Sequence, residues 1–509
     1  MNRFFALLLT ALLLTAFLTA GCSGGGGGSV ATGNETDSPA GGGAGTGGGS
    51  GGTTVSSQAC ASADYPSPEW TACEQENYAR TSEAGEEQTD PNFSSVWEAR
   101  GASNQMEFNA RNLADPSWMD PRSGNTPLTP LCTTWNQQCT GDPFRYPDAP
   151  GPNGALFYAN EGETTPFVYY DQGCARISGR VWRPRSGTPP FPAVVIENGS
   201  VQAPEPLYWW AAQALVRAGY VVMTFDPRGQ GRSDQQTPDG EQGSNANPVV
   251  FWEGLVNAID FFRATPGQLY PHNATCAGTY PTAVTDFNPY HADIDRDRLG
   301  IAGHSLGGTG VSIVQSYGAT GADPWPGLID ATSPVDAVVA WDGISTGGSM
   351  GAPQVFPHKP ILGQNSEYGL TPAPFDAPPD PDSSIVAFRL WQAAGIPVYE
   401  QTVRGSTHYE WSLIPTFPTT SWCPTPETEA CVDGWGQPFG EHYTVAWFDR
   451  WLKLPGEIGY DDADDRLLDD EGVNGREKYS YHFFSARDFP DRSGFRQRCG
   501  DIRRGCDGS

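Results

Sequence analysis

Lysine is nearly absent from this sequence: its 509 residues include only Lys359, Lys453 and Lys478. Acidic residues number 59 against 30 basic residues, which gives a formal net charge of −29. A surface with this charge repels the phosphates of nucleic acids and of anionic lipid headgroups. The composition therefore predicts that the folded body of the protein binds neither of them.

Motifs for binding metals and phosphates are also missing. No C-x-x-C pair occurs, and the histidines lack the spacing of zinc ligands. The acidic run at 461–465 lacks the alternating ligands and the turn glycine of an EF-hand, so it predicts a solvated acidic face. The glycines at 307–310 are not followed by the Lys-Ser/Thr pair of a P-loop. The sequence thus predicts no cofactor.

The apolar run at residues 4–17 is shorter than the roughly 20 residues that a membrane span needs, so an uncut anchor is disfavoured. It ends in L-T-A-G-C at 18–22, which resembles the lipobox of bacterial lipoproteins. The resemblance implies a signal peptide over residues 1–21 and an acylated, palmitate-type lipid anchor on Cys22. The protein would then lie in the cell envelope, in the outer membrane where the cell has one. An ordinary secretory signal, giving an extracellular protein, is the alternative.

The chain contains 11 cysteines, and removing Cys22 leaves an even number, as an oxidising compartment favours. Their clustering suggests local disulfides and one long-range pair, although spacing alone leaves the connectivity open. The suggested pairs are Cys60–Cys73, Cys132–Cys139, Cys423–Cys431, Cys499–Cys506 and, over a long range, Cys174–Cys276.

Composition divides the mature chain into four parts. Residues 22–59 are glycine, serine and threonine with almost no apolar content and predict a flexible tether. Residues 60–154 carry tryptophans, prolines and four cysteines with weak periodicity, which predicts an irregular, disulfide-stapled extension. Regular signals begin at residue 155 and predict a catalytic domain at 155–455. Residues 456–509 form an acidic C-terminal extension closed by a disulfide.

Strand and helix signals alternate through the predicted domain. Apolar runs at 192–199 and 220–226 are typical of strands buried on both faces, and 251–262 carries an apolar helical stripe. Further strands are predicted at 335–341, 359–362 and 397–403. Repeated strand, helix and strand with such buried strands predicts an α/β fold, with a mostly parallel sheet covered by helices on both faces.

A nucleophile elbow, G-x-S-x-G, follows the apolar strand that begins near residue 298. Its serine stands on a sharp strand-to-helix turn, where a Cβ at Gly303 or Gly307 would collide with the adjoining strand or helix. The motif predicts Ser305 as a nucleophile. The backbone N–H of Leu306, at the start of the following helix, is then one oxyanion donor.

From about residue 167 to residue 453 the chain resembles the α/β-hydrolase superfamily of serine hydrolases. The resemblance rests on the antiparallel start, the strand ending in Asn198-Gly199, the loop D-P-R-G-Q-G-R-S-D and the elbow G-H-S-L-G-G. The chain has E-N-G-S where many members carry His-Gly. The resemblance implies an α/β-hydrolase fold and a catalytic triad in the chain order serine, acid, histidine.

That order places the base on the loop after the last apolar strand, where His408 lies. His304 is predicted to be structural, and His442, near the final helix, is a weaker candidate for the base. For the acid, Glu367 follows the penultimate strand, the family's usual position, and its longer side chain favours it. Asp342, which ends the preceding strand, is the runner-up.

The second oxyanion donor is expected in the turn that follows the first buried strand. Gly199 lets the chain swing toward the serine, which favours the backbone N–H of Ser200. With Leu306, this donor would stabilise the negative charge that develops on the substrate oxygen.

These features predict a serine hydrolase that cleaves a small-molecule or lipidic ester through an acyl-enzyme. A peptidase or amidase of the same fold is the nearest rival, and a dehalogenase is disfavoured because Ser305 stands where its carboxylate would. A non-catalytic surface-binding lipoprotein on a hydrolase scaffold is the alternative from another class, since a fold does not determine a function. Oligomeric state and the acyl and alcohol groups do not follow from the sequence.

Overall fold

A computed structural model of the protein describes the chain from residue 157 onwards, with gaps. The signal peptide, the tether, the N-terminal extension, Cys22 and the pairs Cys60–Cys73, Cys132–Cys139 and Cys423–Cys431 lie outside the described residues. The structure describes residues 157–200, 205–231, 233–234, 236–243, 247–349, 351–367, 369, 379–404, 406–408, 410–412, 436–472, 474–480 and 482–506.

Ten strands form a sheet in the described part of the chain. Apolar β-branched and aromatic residues dominate the strands at its centre, as expected for strands buried on both faces. The strands are β1 (Gly162–Tyr170), β2 (Arg176–Pro184), β3 (Phe191–Glu197), β4 (Val221–Asp226), β5 (Ile294–His304), β6 (Val335–Trp341), β7 (Ile361–Ser366), β8 (Val398–Val403), β9 (Ala486–Pro490) and β10 (Arg496–Cys499).

The strands follow the order β1-β2-β4-β3-β5-β6-β7-β8-β9-β10 across the sheet. The five pairings from β4 to β8 are parallel. The four pairings at the two edges are antiparallel. The predicted α/β-hydrolase fold with a mostly parallel sheet is therefore wrong. The sheet is mixed, and antiparallel strands flank the parallel strands on both sides. The apolar residues of a strand indicate that it is buried. They do not indicate whether it runs parallel or antiparallel to its neighbour in the sheet.

Two apolar layers cover the central strands. On β3, Val195 belongs to one buried cluster and Val194 to the other, because successive side chains point to opposite faces. Helices α2, α4 and α5 contribute to the first cluster, and α1 and α6 contribute to the second. The helices are α1 (Trp209–Arg217), α2 (Val250–Arg263), α3 (Pro271–Thr275), α4 (Leu306–Val314), α5 (Val386–Ala394), α6 (Gly436–Leu452) and α7 (Ala463–Leu468). None of the helices in these described residues is both long and apolar enough to cross a membrane.

The C-terminal residues extend the same sheet. Strand β9 pairs with β8, and β10 pairs with β9. The disulfide Cys499–Cys506 closes the loop after β10, and Cys174–Cys276 joins the turn after β1 to the end of α3. Both pairings are those suggested by the sequence. The domain boundary at residue 455 stays a prediction.

The parallel strands determine where loops gather. Strands β3 to β8 all run in the same direction, so their carboxyl ends lie along one edge of the sheet. The loops that follow these strands meet there. Ser200, Ser305, Asp342, Glu367 and His408 all lie on these loops. The fold thus collects the residues singled out in the sequence at one edge.

Candidate active site

Ser305 occupies a strained turn between β5 and α4. Its backbone has φ 59° and ψ −121°, a conformation that is uncommon for residues other than glycine. A Cβ on Gly303 would lie 2.3 Å from the carbonyl oxygen of Gly307. A Cβ on Gly307 would lie 2.4 Å from the carbonyl oxygen of Asn198. The turn is therefore possible only with glycine at these two positions, as the motif predicts.

The Ser305 side chain is half-buried, and its hydroxyl makes no hydrogen bond to another described residue. Its backbone N–H donates to the carbonyl oxygen of Trp341 at 3.1 Å. This bond ties the turn to the end of β6. The serine turn therefore lies where β6 ends, beside the peptide bond that joins Trp341 to the next residue.

That next residue is Asp342, which is paired with His408. Asp342 Oδ2 accepts a hydrogen bond from Nδ1 of His408. Asp342 Oδ1 accepts a second bond, from the backbone N–H of Ser366, at 2.7 Å. An ionised carboxylate only accepts hydrogen bonds, so Nδ1 of His408 carries its proton. Both carboxylate oxygens are therefore occupied, and the imidazole has a defined tautomer.

The environment of Asp342 keeps it ionised. Burial alone would raise the pKa of its carboxyl group, but the charge of His408 and the hydrogen bonds from His408 and Ser366 outweigh burial. The pKa is lowered to about 2. Asp342 is thus an anion at neutral pH, and it can orient His408 and stabilise the imidazolium form.

Glu367 faces a different part of the protein. Its side chain is buried, and Oε1 accepts a hydrogen bond from Oγ of Ser480 at 2.5 Å. Its backbone N–H donates to Oγ of Ser406 at 3.2 Å, near the His408 loop. The geometry does not support the preference for Glu367 as the acid, because the runner-up Asp342 holds the imidazole. The direction of the side chain at the strand end decides this, and neither the spacing nor the longer reach of glutamate reveals that direction.

His304 is a buried link between two parts of the site. Its ring lies 4.7 Å from the ring of His408, measured between centroids. Nδ1 lies 2.9 Å from the hydroxyl of Tyr208, and Nε2 lies 2.9 Å from the carbonyl oxygen of His408. Burial, together with the charge of His408, lowers the pKa of His304 to about 3, so the ring is neutral. These contacts agree with the structural role predicted for His304. Nε2 of His442 instead lies 3.1 Å from the carbonyl oxygen of Arg466.

The turn at 198–200 packs against Ser305. A Cβ on Gly199 would lie 3.3 Å from Cβ of Ser305 and 3.0 Å from Nδ1 of His304. Within the described part of the chain, the N–H groups of Ser200 and Leu306 donate to no protein acceptor. Leu306 is the first residue of α4, where backbone N–H groups have no partner inside the helix. The two predicted oxyanion donors therefore flank the serine turn.

Sequence reasoning missed two buried residues that hold this turn. The N–H of Gly199 donates to the hydroxyl of Tyr208 at 2.9 Å. The side-chain amide of Gln230 donates to the carbonyl oxygen of Gly199. Gln230 lies inside the D-P-R-G-Q-G loop, which was one available signal. Tyr208 gave none, because its contacts exist only once the strands have paired.

Other ligand sites are not evident near these residues. Among the described side chains, no group of three or more His, Cys, Asp or Glu residues could hold a metal ion. A cavity of about 410 Å³ opens between the end of β1 and the loop at 269–286, lined by residues such as Tyr170 and Tyr280. Its lining includes none of the residues around Ser305.

Comparison with known proteins gives one limited similarity. No protein-family model matches the chain. A stretch of 147 residues is 26% identical to a protein named Hydrolase acrC from Aspergillus aculeatus. The match covers 27% of this chain and 28% of that protein, so the chain spans well under two thirds of its relative. The similarity supports a hydrolytic function at most and does not identify the bond that is cleaved.

Proposed function

We propose that this protein is a serine hydrolase that cleaves esters through an acyl-enzyme. The observation that carries the proposal is the pair formed by His408 and ionised Asp342, at the same sheet edge as the strained turn of Ser305. A serine hydroxyl is a weak nucleophile unless a neighbouring base removes its proton. The similarity to a protein named a hydrolase agrees with this reaction class.

In the proposed reaction, His408 is the general base. Because its Nδ1–H is bonded to Asp342, Nε2 carries the lone pair that accepts the Ser305 proton. Oγ of Ser305 bonds to the ester carbonyl carbon, and the electron pair of the C=O bond moves to the oxygen. The N–H groups of Ser200 and Leu306 then stabilise that oxyanion.

His408 relays two protons in the complete cycle, one from Ser305 to the leaving alcohol and one from water back to Ser305. The first intermediate collapses when the C–O bond to the alcohol breaks, and the alcohol leaves with the proton held by His408. Water then attacks the acyl-enzyme while His408 takes one of its protons. The second collapse returns that proton to Ser305 Oγ and releases the carboxylic acid. Asp342 stays a carboxylate throughout and stabilises the imidazolium.

The first test is covalent labelling with a fluorophosphonate probe, which reacts only with an activated serine. We expect a single labelled peptide that contains Ser305, and loss of the label in Ser305→Ala and His408→Ala. Folded wild-type protein that takes no label would favour the non-catalytic binding protein instead. Label at another serine would move the site.

The second test identifies the bond. Esters of graded acyl length are compared with a peptide amide of matched leaving-group absorbance. We expect the esters to be cleaved with a higher kcat/KM, and the dependence on acyl length to report the acyl-binding site. Faster cleavage of the amide would assign the protein to the peptidases.

We further propose that the enzyme acts in the cell envelope, held there by a lipid on Cys22. The L-T-A-G-C sequence and the even number of remaining cysteines support this location. Two disulfides in the described residues agree with an oxidising compartment.

A further inference from the structure

Two buried side chains clamp the peptide units around Gly199. Tyr208 and Gln230 are both fully buried. The Tyr208 hydroxyl accepts the N–H of Gly199 at 2.9 Å, and the Gln230 amide donates to the carbonyl oxygen of Gly199. Both hydrogen-bonding groups of this glycine are therefore held by side chains, although no strand or helix includes it.

The clamp determines the direction of the next N–H group. The carbonyl of Gly199 and the N–H of Ser200 belong to the same peptide unit, and in a trans peptide they point in opposite directions. Because Gln230 holds the carbonyl, the Ser200 N–H must point away from Gln230. Without this bond, the peptide could rotate and carry the donor away from its position.

The chain of hydrogen bonds continues toward the histidine loop. The carbonyl oxygen of His408 can only accept, so Nε2 of His304 donates to it at 2.9 Å. A neutral imidazole carries one proton, so Nδ1 of His304 accepts from the Tyr208 hydroxyl at 2.9 Å. Each donor in the chain therefore meets one acceptor, and the Tyr208 hydroxyl both accepts and donates.

We propose that Gln230, Tyr208 and His304 are positioning residues that hold the Ser200 oxyanion donor and the His408 loop in register around Ser305. This inference rests on the proposed function. The three side chains act through backbone groups: Gln230 and Tyr208 through Gly199, and His304 through the carbonyl oxygen of His408. They touch no substrate atom in this scheme. Their loss should impair the chemical step more than substrate binding.

The test uses two variants of nearly unchanged shape, Tyr208→Phe and Gln230→Leu. Removing an oxyanion donor altogether lowers kcat by about 10²–10³-fold. Misaligning one should cost part of this, so we expect kcat for an ester to fall by roughly 10–100-fold in each variant. KM should stay within about twofold, because contacts made equally in the ground state are unchanged.

A transition-state analogue gives a readout that general loss of packing would not mimic. A trifluoromethyl ketone adds to the serine and forms an oxyanion, so its affinity depends on the donors. Its inhibition constant should rise by about the same factor by which kcat falls.

Tyr220→Phe is the matched control. Tyr220 is also fully buried, and its hydroxyl donates to Oδ1 of Asp449 at 2.7 Å, at the other end of β4. The change likewise removes a buried tyrosine hydroxyl and its hydrogen bond, without touching the site. We expect kcat per folded molecule to stay within about twofold of wild type, while the melting temperature falls as it does in Tyr208→Phe.

Each outcome decides between the two proposals. Wild-type protein that is folded but takes no fluorophosphonate label would defeat the proposed function. Wild type that is labelled and hydrolyses esters, beside Tyr208→Phe and Gln230→Leu variants of unchanged kcat, would overturn the positioning role alone. Equal loss of kcat in Tyr220→Phe would also overturn it, because the effect would then be one of general stability.

Discussion

Asp342 and His408 are paired across a strand that separates them in the sheet. Asp342 follows β6 and His408 follows β8, while β7 lies between. The end of β7 takes part in the contact, because the N–H of Ser366 donates to Asp342 Oδ1 at 2.7 Å. Three strand ends thus orient one carboxylate toward one imidazole. The pair depends on the parallel order of these strands.

This pairing predicts that Asp342 is the acid of the catalytic triad, and mutation tests the prediction. Asp342→Asn should lower kcat on the order of 10²–10⁴-fold, because the amide cannot stabilise the imidazolium and favours the wrong tautomer. Glu367→Gln should lower kcat by less than about tenfold, because Glu367 contacts Ser480 and Ser406 and not His408. Steady-state kinetics with one ester measures both.

Circular dichroism must show that both of these variants are folded. Glu367→Gln serves as the matched control, since it makes the same change from carboxylate to amide in a buried side chain. If Glu367→Gln lost more activity than Asp342→Asn, the acid would be Glu367 after all.

A second prediction concerns the loss of stability as the pH rises from about 4.5 to about 7. Burial of Glu400 on β8 raises the pKa of its carboxyl group from 4.5 to about 7, although hydrogen bonds from Asn365 and Phe388 oppose the shift. The folded state therefore holds this proton more tightly than the unfolded state. The resulting stability is fully present below about pH 4.5 and is lost as the pH rises through about 7.

Glu400→Gln should remove this dependence, because the amide does not ionise and keeps an acceptor for the Phe388 N–H. Relative to wild type, the variant should gain stability between pH 5 and pH 9, on the order of 3 kcal/mol for a shift of this size. Urea denaturation at several pH values measures the difference. If the free energy of unfolding changed with pH in the same way in both proteins, the role given to Glu400 would be contradicted.

Removal of the long-range disulfide should lower the free energy of unfolding more than removal of the short-range disulfide. Cys174 and Cys276 are 102 residues apart, whereas Cys499 and Cys506 are 7 apart. A longer closed loop removes more entropy from the unfolded chain, so the first double alanine variant should lose about 2 kcal/mol more than the second. Urea denaturation under oxidising conditions compares them, and the reverse order would show that native contacts dominate.

The location of the protein is tested at Cys22. If this residue carries a lipid, Cys22→Ala should leave the membrane fraction or accumulate with its signal peptide uncut. Ser23→Ala is the matched control and should fractionate as wild type does. Cell fractionation and the mass of the mature protein measure both effects. An unchanged mass and distribution of Cys22→Ala would refute lipidation.

Features that depend on neighbouring residues could be predicted from the sequence. The strand at Val335–Trp341 has the predicted bounds, because its mostly apolar residues favour a strand buried on both faces. The turn at Ser305 was predictable from its G-x-S-x-G motif, in which a Cβ on Gly303 would collide with the nearby carbonyl oxygen of Gly307. The long-range pair Cys174–Cys276 was suggested by the clustering of the cysteines, since the others lie close to one another in the sequence, and the structure confirms it.

Only the tertiary structure decided which carboxylate meets His408, and that β9 and β10 join the sheet as antiparallel strands. The same holds for Tyr208 and Gln230, whose roles come from their contacts with Gly199. The physical reason is that local sequence determines propensity and burial, whereas these features depend on side-chain directions and on pairings between distant segments. Asp342 and Glu367 both follow apolar strands, and only the paired sheet turns one of them toward the imidazole.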